Sequence, residues 1–201
     1  MFSRFKFKAW KIFLPASDRS AIRKANTIAS HLTDQEKYIL LKLARKVPVG
    51  GIAVEIGSYL GSSSCFLSIG LRKRSGRLYC VDTWHNEAMT EGLRDTYTEF
   101  SRNTAPFRDV IIPLRERSTN VSMEFTKMVS LLFLDGDHSY EAVRDDFYAW
   151  LPHCSDHAII VLHDCGWAEG VQRVIAEDIR PRVLQLHQTA NMAWTWLTKT
   201  K

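Results

Sequence analysis

The chain has 201 residues, 45% of them apolar and 24% charged, which is enough for one sizeable core and too little for two. No apolar run approaches the ~18 residues that cross a bilayer, so Leu131 to Leu134 and Ala158 to Leu162 read as buried strands. The formal charge of +5 is concentrated in Arg4, Lys6, Lys8, Lys11, Arg19, Arg23 and Lys24 against Asp18, and the remainder is close to neutral, which argues against a nucleic-acid-binding domain.

Phe2, Phe5, Trp10, Phe13 and Leu14 recur at roughly helical spacing among basic residues, and Pro15 ends the segment. This amphipathic stretch reads as a helix packing on its own domain or on a second copy of the chain. Peripheral contact with an anionic membrane surface is the sharper alternative. Lysines interrupt it too often for a secretory signal, and Cys65, Cys80, Cys154 and Cys165 lack metal-like spacing. Free thiols and a cytoplasmic protein are expected. The run Asp34 to Lys46, acids first and bases last, suits a helix leading into the main fold.

Regular alternation follows. Strands are expected at Gly51–Ile56, Arg77–Val81, Val110–Leu114, Val129–Leu134 and His157–Leu162, with helices at Ser62–Leu71, Glu87–Phe100, Tyr140–Leu151 and Ala168–Ile179. Strands apolar on both faces, separated by helices, indicate a doubly wound α/β fold with a mostly parallel sheet covered on two sides. The runs Val183–Gln188 and Met192–Leu197, with a short polar turn between them, predict an antiparallel hairpin at the C-terminus. The expected organisation is a helical extension over 1–46 and one catalytic domain over 47–201.

In VEIGSYLGSSS a strand carrying Glu55 runs into Gly57 and Ser58, and Gly61 precedes Ser62, Ser63 and Ser64 where a helix begins. Glycines let the backbone approach a ligand, and the free N–H groups of a helix start bind anionic groups. Tyr59 stands where a second glycine would complete GxGxxG, which weakens a nicotinamide or flavin reading. About 25 residues beyond Gly57, Asp82 ends the second strand, where an acid can accept from ribose hydroxyls. Asp135, Asp137 and His138 follow the fourth strand, and His163 and Asp164 follow the fifth, so all five are expected on the rim that binds ligands in open parallel sheets. For each one alone, a solvated loop residue or helix cap is the blander reading.

These motifs resemble class I S-adenosylmethionine-dependent methyltransferases, in the branch of catechol O-methyltransferase-like enzymes and bacterial sugar O-methyltransferases, from about Val47 to the C-terminus. The resemblance implies a Rossmann-like seven-stranded sheet with one antiparallel strand inserted by the final hairpin. It implies that Glu55, Gly57, Ser58, Gly61, Ser62 and Ser63 form the cofactor loop, that Asp82 and Trp84 serve the ribose end, and that Ser118 lies near the adenine. Asp135 closes that site.

The implied chemistry is transfer of a methyl group to a hydroxyl of a small, sugar or phenol-like acceptor. His138, with an unperturbed pKa of about 6.5, or Asp137 would take the proton. Asp135 and Asp164 could hold Mg2+, although Cys165 replaces the acid or amide that metal-dependent relatives carry and a thiol is a poor magnesium ligand. The segment Thr83 to Arg108 and the N-terminus are the candidate lid. A non-catalytic or differently specific Rossmann-like nucleotide-cofactor binder is the alternative function.

Overall fold

A computed structural model describes residues 16–86 and 92–198. The expected seven-stranded sheet is present in the order β3-β2-β1-β4-β5-β7-β6, with β1 (Ile52–Ile56), β2 (Arg77–Asp82), β3 (Ile111–Arg115), β4 (Val129–Leu134) and β5 (Cys154–His163) parallel. The C-terminal hairpin places β7 (Met192–Trp196) antiparallel between β5 and the short edge strand β6 (Leu186–Gln188). Four helices lie towards one face, α1 (Ala16–Ala25), α2 (Asp34–Ala44), α3 (Ser62–Arg72) and α4 (Tyr97–Thr104). On the other face lie α5 (Ser118–Glu124), α6 (Tyr140–Trp150) and α7 (Glu169–Val174), the last continued by a wider π-type turn over Ile175–Ile179.

Strand side chains alternate between two cores. Ala53, Leu131, Phe133, Ile159 and Val161 pack with Leu40, Phe66, Leu67 and Phe100 on the first face. Val54, Ile56, Leu132, Leu134, Ile160 and Leu162 pack with Val143, Phe147, Trp150 and Val171 on the second. This double burial is why the strands lack an apolar and polar alternation in the sequence.

Several element boundaries differ from expectation. The helix expected over Glu87–Phe100 starts only at Tyr97; Gly92 has φ +83°, and the N–H groups of Arg94 and Thr96 donate to the carbonyls of His85 and Trp84 (3.1 and 3.0 Å). Residues 92–96 are thus tied to the loop after β2, and 87–91 lie outside the described residues. The expected strand Val183–Gln188 is confined to Leu186–Gln188, because a helical turn over Arg180–Arg182 containing Pro181 occupies its approach. The amphipathic segment Phe2 to Leu14 also lies outside the described residues.

Helices α1 and α2 share the first core through Ile22, Ala25, Leu40, Leu41 and Leu43. Asp18, nearly buried, pairs with Arg45 (2.8 Å) and Lys73 (3.3 Å), which locks α1 to the ends of α2 and α3. The α2–α3 contact is closest at Gly70, where a Cβ would lie 2.5 Å from Ala44 Cβ and 2.6 Å from the Leu41 carbonyl oxygen. Gly70→Ala is therefore expected to lower stability by about 1–3 kcal/mol through overpacking. Urea denaturation read by tryptophan fluorescence measures it; an unchanged midpoint would show that the two helices do not meet this closely.

Candidate active site

The cofactor-type loop begins where β1 and β4 end side by side. Gly57 has φ +82°, and a Cβ on it would lie 2.1 Å from the Asp135 carbonyl oxygen, so a side chain is excluded both by backbone conformation and by space. Tyr59, also in the left-handed region at φ +45°, is held there by its neighbours. Its N–H donates to Asp82 Oδ2 (2.8 Å) and its carbonyl accepts from Trp84 Nε1 (3.0 Å).

Asp82 organises this loop. Its Oδ2 also accepts from the Ser58 N–H (2.8 Å), and its Oδ1 accepts from the Trp84 N–H (2.6 Å). With about four acceptor positions on a carboxylate, three are committed to backbone, and one remains for a ligand. Trp84 is fully buried against Tyr97 and Phe100, so its ring belongs to the core. Ser118, at the start of α5, accepts from Trp150 Nε1 (2.7 Å).

Glu55 lies beneath the loop, fully buried, and accepts from the hydroxyls of Ser58 (2.9 Å) and Ser64 and from the Cys80 thiol (3.3 Å). Burial pushes its carboxyl up to about 7, against the hydrogen bonds from the serines. Above it, α3 starts at Gly61 with no side-chain cap, and the buried Ser62 hydroxyl has no hydrogen-bond partner among the described residues. This uncapped helix start and Ser62 face a cleft of about 400 Å³. The loop Gly57–Leu60 forms one wall of the cleft, Ala29–Leu32 ahead of α2 another, and Asp135, His138, His163, Asp164, Trp167 and Asn191 a third.

The third wall is a compact polar cluster. His138 Nε2 lies 2.6 Å from Asp164 Oδ2, and His163 Nδ1 lies 3.0 Å from Asp135 Oδ1 and 3.2 Å from Asp164 Oδ2. Asp164 Oδ1 accepts from Trp167 Nε1 (2.7 Å) and Asn191 Nδ2 (2.9 Å). Asp164 itself sits at φ +58°, a conformation aspartate tolerates better than most residues. On the far side of His163, Nε2 faces Glu36 Oε2 at 3.6 Å.

The electrostatics follow from this packing. Burial works against a charge on His163, but Asp135, Asp164 and Glu36 together push its pKa up to about 12. Burial opposes ionisation of Asp164 too, yet His138 and His163 hold its carboxyl far below the usual carboxylate range. Burial raises Asp135 despite His163 beside it, and the Asp164 hydrogen bond raises His138 above its usual value.

Of the five rim residues expected from sequence, the structure brings four together. Asp137 stands apart, its Oδ1 accepting from the Ser139 N–H (2.6 Å) at the start of α6. Cys165 turns into the second core, 2% exposed, with Sγ 3.6 Å from Gln188 Nε2.

A family model described as a methyltransferase domain matches residues 54–165, more than half of the chain. The chain belongs to this methyltransferase family. The methyltransferase fold is shared with the O-methyltransferase NovP (TM-score 0.70, 14% identity, 85% of this chain and 82% of that one). It is shared with the O-methyltransferase TomG from Streptomyces achromogenes, in complex with SAM (0.64, 14%, 98% and 100%). It is also shared with the O-methyltransferase from Bacillus cereus in complex with SAH (0.67, 15%, 96% and 96%).

Sequence reasoning missed Trp167, Asn191 and the loop residue His31 of the methyltransferase's cleft wall, and Glu36, which lies buried behind that wall against His163. Only Glu36 left a trace. It completes a capping box, taking the Thr33 N–H (2.7 Å) while Thr33 Oγ1 accepts from the Glu36 N–H (3.3 Å), so the T-x-x-E pattern was legible as a helix start. Its contact with His163 was not.

The buried Glu55 makes a pH prediction. Its carboxyl holds a proton in the folded state up to about pH 7 but in the unfolded chain only to about 4.5. The folded state therefore binds more protons between these values, and stability falls as pH rises through that window, by about 3 kcal/mol. Glu55→Gln should flatten this decline in chemical denaturation curves collected across the window; an identical slope would show that Glu55 ionises freely in the fold.

Proposed function

We propose that this methyltransferase transfers the methyl group of S-adenosylmethionine to a hydroxyl of a small acceptor. The observation that carries the reading is one cleft that holds both a cofactor-type cradle and a histidine paired with a carboxylate. When bound, the cofactor supplies an activated methyl on sulfur, so the protein's task is to align the acceptor oxygen and accept its proton. The residues fit such a cofactor: Gly57 allows close backbone approach, the N–H groups at the start of α3 suit its carboxylate, and the buried Ser62 hydroxyl lacks a partner. Asp82 serves the ribose end with its one uncommitted acceptor position, and Ser118, at the start of α5, is assigned to the adenine end.

On the acceptor side, His138 donates from Nε2 to Asp164, which leaves Nδ1 to receive the hydroxyl proton. Trp167, 64% exposed and with its ring 5.1 Å from that of His138, offers a flat face to a phenol or sugar. In this reading residues 47–201 carry the cofactor machinery, while the 1–46 extension supplies a wall through Ala29–Leu32. The substrate is a small molecule and not a nucleic acid, in keeping with a net positive charge that is concentrated at the N-terminus and balanced elsewhere. The setting is assigned to the cytoplasm, consistent with four free, buried cysteines. No helix among the described residues is long and apolar enough to cross a membrane.

Calorimetric titration with S-adenosylhomocysteine tests the cofactor assignment. Binding is expected in the wild type and should weaken by about tenfold or more, the equivalent of ~1.4 kcal/mol, in Gly57→Ala and in Asp82→Ala. No binding by wild type, or unchanged affinity in both variants, overturns it. For the base, His138→Gln should lower kcat by about 10²- to 10⁴-fold towards an acceptor found in a screen of phenols and sugars with labelled methyl donor, and leave S-adenosylhomocysteine affinity intact. Full activity in that variant removes His138 from proton transfer.

A further inference from the structure

Carboxylates at adjacent strand ends invite a divalent cation, and Asp135, His138 and Asp164 do place ligand atoms within 4.8 Å of one another. The oxygens of Asp164, however, are already taken. A carboxylate has about four acceptor positions, and Asp164 spends them on four nitrogens: Trp167 Nε1, Asn191 Nδ2, His138 Nε2 and His163 Nδ1. The His163 ring nitrogen lies between the two carboxylates, 3.0 Å from Asp135 and 3.2 Å from Asp164, where a bridging ion would need to stand. Its side chain is only 2% exposed, so it cannot swing aside into solvent. The next position, Cys165, offers only a thiol, a poor ligand for a hard cation, and that thiol points into the core.

Resting on the methyltransferase reading above, we infer that this site works without a divalent cation: the His163 imidazole holds the place between Asp135 and Asp164, and Asp164 is thereby aimed at His138. His163 is a positioning residue in this scheme, because it touches the carboxylates and not the acceptor. Glu36 anchors the opposite edge of the ring from α2, so three acids on three separate elements surround one imidazole. The ring fills the space between the strand-end carboxylates without offering the acceptor oxygen a vacant coordination position.

The test uses the full chain saturated with S-adenosylhomocysteine, whose calorimetric binding reports separately on the methyltransferase reading. Titration with MnCl2, followed by the electron paramagnetic resonance signal of free Mn2+, is expected to show no stoichiometric uptake by wild type, and EDTA should leave methyl transfer unchanged. His163→Ala exposes the two carboxylates to each other and should take up Mn2+ at least about tenfold more tightly than wild type, within the range by which residues around a site tune metal affinity. One Mn2+ bound per wild-type chain at micromolar concentration, or activity lost in EDTA, overturns the inference. A folded His163→Ala that takes up no more Mn2+ than wild type also overturns it. If that variant does not fold, the wild-type titration decides alone. Absent S-adenosylhomocysteine binding overturns the methyltransferase reading itself, whereas Mn2+ uptake with S-adenosylhomocysteine bound overturns only the metal-free scheme.

Discussion

The parallel pairing of β1 with β4, in register from Ala53↔Leu131 to Ile56↔Leu134, delivers Gly57 and Asp135 to the same point on the sheet rim. The Asp135 N–H donates to the Ile56 carbonyl (2.9 Å), and the Asp135 carbonyl stands where a Cβ of residue 57 would have to be. From there the two chains must part, because β1 connects to α3 and the β2 side while β4 connects to α6 and the β5 side. A cleft opens at this switch of direction, as it does in open α/β sheets generally. Every group assigned to cofactor or acceptor reaches the cleft from one of these two diverging arms or from an element packed against them.

Buried and half-buried carboxylates lie in and around the cleft loops, and each is held by a specific set of donors. Asp82 gathers the backbone N–H groups of Ser58, Tyr59 and Trp84. Glu55 gathers two serine hydroxyls and a thiol, and Asp164 gathers four side-chain nitrogens. An unpaired carboxylate in such surroundings is strongly unfavourable, so these networks hold the loops in one conformation. Tyr59 at φ +45° is one result: a residue that would ordinarily avoid the left-handed region is kept there because its N–H and carbonyl both have fixed partners.

Parts of the cleft wall and of the packing behind it come from far outside the strand-end motifs. Glu36 arrives because α2 is packed on α3 at Gly70, and Asn191 arrives because β7 is inserted beside β5, with Met192 opposite His163. Asn191 is itself oriented by the Gly166 N–H, which donates to its Oδ1 (3.1 Å), so its amide nitrogen is presented to Asp164. The helical extension and the C-terminal hairpin are thus structural contributors to the cleft wall.

Local chemistry in the sequence was sufficient for the sheet, the terminal hairpin, the crossover helices other than Ser118–Glu124, and the strand-end positions of Gly57, Asp82, Asp135, His138 and Asp164, because hydrophobic periodicity and turn residues are properties of neighbours in the chain. It was also sufficient to mark Asp135, His163 and Asp164 as sharing one rim, since parallel strands end on the same side. The direction in which each side chain turns there was decided by tertiary packing. Asp137 and Cys165 stand within two residues of the cluster, yet one caps α6 and the other enters the core. Trp84 follows the same rule, its ring drawn into a pocket formed by Tyr97 and Phe100. The helix expected over Glu87–Phe100 gave way over 92–96 to backbone pairing with the loop after β2. The role of His163 was out of reach of the sequence altogether, because it depends on Glu36, Asp135 and Asp164 converging from α2, β4 and β5, and no pattern along one chain encodes the distance between three elements.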